Sequence, residues 1–100
     1  ITMMATAAYK DGIVMEVDHH SCGKWIEDRK NLAGSTAQAW ISGYLTAYNR
    51  QTPGVMSILG NTNMESIYLW MDKYCQENPL DLLNTGLIIL TNELWPNRKH

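Results

Sequence analysis

The chain has 100 residues, 45% of them hydrophobic and 18% charged, which excludes a disordered polyampholyte and leaves room for one small domain. Its net charge is −2 with a pI near 5.8, and its eight Lys and Arg are spread along the chain. Nucleic acid needs cations gathered on one face, so that class of partner is not expected, and no apolar run approaches the length of a membrane span.

Residues 1–20 read as an irregular N-terminal segment, with an extended piece at Ile13, Val14, Met15, Glu16 and Val17. Within it Met4 to Ala8, "MATAA", has the small-residue character of a signal-peptide cleavage region, without the apolar stretch that should precede one. Residues 21–95 are the helical domain and 96–100 a C-terminal tail. Ser21 can cap a short first helix that places Cys22, Trp25, Ile26 and Arg29 on one face and stops near Asn31. Ser35-Thr36-Ala37-Gln38 is a capping box, in which the hydroxyl accepts from the third amide and the Gln reaches back. The helix it opens carries Trp40, Tyr44, Ala47 and Tyr48 at helical spacing and ends before Pro53-Gly54.

Residues 51–61, "QTPGVMSILGN", form a loop with an apolar centre. Thr62-Asn63-Met64-Glu65 is a second capping box, and its helix lines up Met64, Ile67, Tyr68, Met71 and Cys75, with Trp70 and Tyr74 on the shoulder. Asn78-Pro79 reads as both a stop and a start, because Pro suits only the first helical position and Asn is a good cap. On that reading Asp81 lies in the first turn of a last helix, where the dipole favours it. Leu80, Leu83, Leu87, Leu90 and Leu94 then make a continuous apolar face until Pro96. Three caps at about 1 kcal/mol each point to an all-α fold, a small four-helix bundle.

Two cysteines, Cys22 and Cys75, fall on the apolar stripes of separate helices. They could be buried thiols or a disulfide, and the bridge is the favoured reading. Closing a loop of about fifty residues would contribute roughly 4 kcal/mol in the chain-entropy model. It would also imply an oxidising compartment, so a periplasmic or secreted protein is expected.

Signatures of chemistry are sparse. His19, His20 and Cys22 are the nearest thing to a metal cluster, but zinc wants three or four ordered ligands and a bridged Cys22 supplies none. The carboxylates Glu27, Asp28, Asp72, Glu77 and Asp81 sit beside polar helix positions where a simple charge role suffices. No nucleophile elbow or phosphate-binding glycine motif is present. Neither an enzyme nor a cofactor or metal is expected. The Met and aromatic stripes read as core before they read as an adaptable surface. The loop around Val55, Met56, Ile58 and Leu59 is either a lid over the core or a partner surface. With Tyr48 and the edge of Trp70, it is the expected partner-binding patch.

The arrangement of "SCGKWIEDR", "AWISGYLTAYN" and "WMDKYCQENPLDLL" before a last amphipathic helix resembles the HdeA-type periplasmic helical proteins. It also resembles the related Rap/Tai-type immunity proteins of type VI secretion. The likeness covers roughly residues 20–95 and rests on helix order, cysteine placement and the Cys-x-x-Asn-Pro corner. It implies a disulfide-joined all-α domain without enzymatic activity that binds another protein. In the first group that role is an acid-stress chaperone, a homodimer at neutral pH that loosens in acid and binds unfolding clients. In the second it is the blocking of a cognate cell-wall-cleaving toxin. This chain departs from typical HdeA in its longer apolar loop at 51–61 and its richer Trp and Tyr content.

Overall fold

Four α-helices and one 3-10 turn make up the computed structural model, which describes residues 21–31 and 35–100. The extended piece expected at 13–17, the cleavage-like stretch, His19 and His20 lie outside the described residues. Helix α1 spans Cys22–Lys30. Its first amides need acceptors, and Ser21 provides one, its Oγ accepting from the Lys24 amide at 3.0 Å. Arg29 and Lys30 occupy the last turn, where cations suit the helix dipole. Cys22 and Trp25, three residues apart, are buried.

Helix α2, Ser35–Gln51, begins where the first capping box places it and ends before Pro53. Its buried stripe differs from the expected one. Ala37, Ile41 and Leu45 are buried, whereas Trp40, Tyr44 and Tyr48 are half-buried and Ala47 is exposed. The stripe is displaced by one position, onto Ala37, Ile41 and Leu45. The amphipathic rings sit at its rim.

Helix α3, Met64–Glu77, buries Ile67, Met71 and Cys75. Its cap is Asn63, whose side chain accepts from the Ser66 amide at 3.0 Å, so the box expected to start at Thr62 is shifted by one residue. Glu65 remains in the first turn, favourable to the dipole. Asn78 closes the helix, donating from its backbone and side-chain nitrogens to the Tyr74 carbonyl.

The last helix corrects the sequence reading most. Helix α4 spans Leu83–Leu94, and its N-cap is Leu82 rather than Asn78. Leu80 is 96% exposed and contributes nothing to the apolar face, and Asp81 stands in the preceding turn rather than in the helix. The cause is tertiary. The Cys22 amide donates to the Asp81 carbonyl at 2.8 Å, and Ser21 pairs antiparallel with Leu82. Satisfying the start of α1 holds residues 79–82 out of the helix. From Leu83 onward the expectation holds, with Leu83, Leu87 and Leu90 buried. Gly86 is buried against α3, where a Cβ would stand 2.9 Å from the Tyr74 ring and 3.0 Å from Met71 Cε. The 3-10 turn Trp95–Asn97 follows, with Pro96 inside it.

Cys22 and Cys75 are joined by a disulfide with a Cα–Cα distance of 4.8 Å, across a sequence separation of 53. It links the start of α1 to the last turn of α3. The fold is therefore a small all-α bundle with one covalent staple.

Candidate functional site

The segment between α2 and α3 resolves the choice between lid and surface, side chain by side chain. Val55 and Ile58 point into the core, Leu59 is half-buried and Met56 is 67% exposed. Polar bonds fix this geometry. Asn49 Oδ1 on α2 accepts from the Ile58 amide at 2.8 Å. The amides of Met56 and Ser57 donate to the Lys99 carbonyl at 2.7 and 3.2 Å, and the Lys99 amide returns a bond to Ser57 at 2.8 Å. Gly60, at φ 59°, lies so close to the Asn97 carbonyl that a Cβ would collide with it. The segment is thus a lid pinned by residues 97–99. Val55 and Ile58 are corrected from partner surface to core, and Met56 is the outward side chain of the four.

Tyr48 and Trp70, the other two candidates, are half-buried on different helices. Trp70 stacks on Tyr74 with centroids 5.3 Å apart and donates through Nε1 to Glu93 Oε2 at 2.9 Å, so its polar edge serves the packing of α3 on α4. Of the six candidates, two are buried, three half-buried and one, Met56, exposed.

Outward apolar side chains lie elsewhere. Leu80 and Leu82 project from the turn before α4, Ile88 and Ile89 from the outer side of α4, Trp95 just beyond it, and Leu69 from α3 at 63% exposure. The signal for those on α4 was in the sequence. In "LNTGLIILTNEL" the spacing puts Ile88 and Ile89 on the side opposite Leu83, Leu87 and Leu90, and the helix carries one charged residue, Glu93. Leu80 had no such signal, because its exposure follows from the pairing of residues 81–82 with α1.

Charged groups join helices rather than line a cleft. Asp72 on α3 accepts from Trp25 Nε1 at 2.8 Å and takes both Arg29 Nε and Nη2 at 2.9 Å from α1. That bidentate pair raises the Arg29 pKa, chiefly through the hydrogen bond to Asp72 and against the desolvation of the guanidinium. Arg29 also lies 5.5 Å over the Trp25 ring. Near the staple, the Tyr74 hydroxyl donates to Asp81 Oδ2. Burial first, and then that bond, push the Tyr74 pKa up to about 12. Asp28 pairs with Lys24 along α1 at 3.1 Å. Among the described residues no three His, Cys, Asp or Glu side chains gather as a metal ion would require. No helix among them is long and apolar enough to cross a membrane.

No family model, no curated protein and no solved structure matches this chain.

Proposed function

We propose that the chain is an exported, non-enzymatic protein-binding domain of HdeA-like action, closed at neutral pH and opened by acid to hold unfolding proteins on its apolar side chains. The observation that carries this reading is a contrast between two kinds of tie. The side-chain bonds from α1 to α3, from α3 to α4 and from α3 to the 79–82 turn end on carboxylates, at Asp72, Glu93 and Asp81. The Cys22–Cys75 link does not titrate. Acid that protonates carboxylates takes the formal charge from −2 to about +11, counting eight Lys and Arg and three His. Self-repulsion then favours opening while the disulfide limits how far the chain expands.

The disulfide supports the compartment in the same way, since such bonds persist where the surroundings are oxidising, in the periplasm or outside the cell. The experiment is client aggregation, followed with and without the protein at neutral pH and at about pH 2–3, below the ordinary carboxylate range. Suppression in acid alone is the expected result. Aggregation in acid that the protein leaves unchanged removes the chaperone reading.

A second reading rests on the apolar side chains already outside at neutral pH, above all Leu80 at 96% and Leu69 at 63% exposure. A folded partner, such as the cell-wall-cleaving toxin of an immunity pair, needs no acid to meet them. Nanomolar binding of one hydrolase at neutral pH, lost in Leu80→Ser, supports this reading. Binding that survives that change denies Leu80 the role.

A further inference from the structure

Cys22 and Cys75 are both 0% exposed, so a reductant reaches the disulfide only after part of the molecule moves. The segment lying on the start of α1 is the 79–82 turn. Its Asp81 carbonyl accepts from the Cys22 amide at 2.8 Å, and its Leu82 pairs with Ser21. The Pro79 carbonyl oxygen would stand 3.8 Å from a Cβ on Gly23. From the other cysteine's side, Tyr74, the residue before Cys75, donates its hydroxyl to Asp81. One acidic residue therefore holds the turn to the neighbours of both sulfurs, through its carbonyl on one side and its carboxylate on the other.

We propose that this turn is the gate to the disulfide, lifting while the rest of the bundle stays folded, and that the Tyr74–Asp81 hydrogen bond keeps it shut. The turn has little apolar anchorage: Pro79, Leu80 and Leu82 are exposed. Its two ends are fixed. Asn78 is bound to the Tyr74 carbonyl, and Leu83 is buried in the core. Lifting the residues between them breaks a few hydrogen bonds and draws no large side chain out of the interior. Openings of that kind lie far below global unfolding in free energy.

Through the open gate a dithiol reductant reacts by ordinary exchange. Its thiolate attacks one cysteine sulfur and expels the other. Its second thiol then displaces the remaining protein sulfur, so two electrons and two protons pass to the cysteines and the reagent leaves as a cyclic disulfide.

The test is the rate at which excess dithiothreitol reduces the intact native protein at fixed pH, quenched by alkylation and read by mass. Across sub-denaturing urea the expected rate is flat. Tyr74→Phe, which keeps the ring on Gly86, and Asp81→Asn each raise it by about tenfold or more, the loss of one charge-assisted bond that held the gate. Ile67→Val, which weakens the core on α3 away from the turn, leaves it unchanged. A rate that climbs with urea in parallel with unfolding overturns the gate, and so does a Tyr74→Phe rate equal to that of the unaltered chain. The urea series needs no variant, so the test survives misfolding of any of them.

Discussion

The two halves of the bundle are held by different means. On one side, α1, α3 and the 79–82 turn share a covalent bond, a bidentate ion pair and hydrogen bonds to two carboxylates, Asp72 and Asp81. On the other, α2, the 52–62 lid and residues 95–100 are joined by neutral hydrogen bonds and a narrow apolar stripe, Ala37, Ile41 and Leu45. Charge and covalency concentrate where the cysteines lie. Backbone pairing and small side chains serve elsewhere. The lesson is that acid and reductant act on the first half, whereas the second responds mainly to loss of packing.

Removing the staple tests this difference hardest. The double change Cys22→Ser and Cys75→Ser is expected to cost about 4 kcal/mol in urea unfolding, a large share of the stability of so small a domain. A loss below about 1 kcal/mol would show that the charged ties suffice without it. Next comes Asp72→Ala, which leaves the buried Trp25 N–H without its acceptor and Arg29 without its partner. About 2 kcal/mol is expected, read as a lower denaturation midpoint. In the other half, Asn49→Ala leaves the Ile58 amide unpaired and should cost about 1 kcal/mol. Hydrogen exchange should show that loss in the lid and α2 before α3.

Alkaline titration should move stability less. Because the folded-state Tyr74 pKa is raised from 10.0 to about 12, its contribution is complete below pH 10.0 and lost as pH rises to about 12. Tyr74→Phe should flatten that limb of the stability curve. Smallest of all, Met56→Ser on the outer side of the lid should change stability by no more than about 0.5 kcal/mol. A larger loss would mean that Met56 packs against something.

The helices were legible because their periodicity and caps are local properties. Ser21 before Cys22, Ser35 at the start of α2 and Pro53 after it set boundaries that depend on a few adjacent residues. So did the cysteine pair, since both residues fall on stripes that must face inward. What could not be read was decided at a distance. Leu80 and Asp81 look helical by spacing, yet the unpaired amide at the head of α1 claims the Asp81 carbonyl from nearly sixty positions away in sequence. Val55 and Ile58 look like an outward apolar loop until Asn49 and Lys99 turn them inward. Apolar content reveals that a segment is sticky but not which way its side chains point.

The clasp on the lid also orders events during synthesis. Lys99 lies far downstream of Ser57 in sequence, so the lid has no backbone partner until that stretch has been made. Cys75 likewise precedes the 79–82 turn in sequence, so both sulfurs exist before the segment that pairs with the head of α1 does.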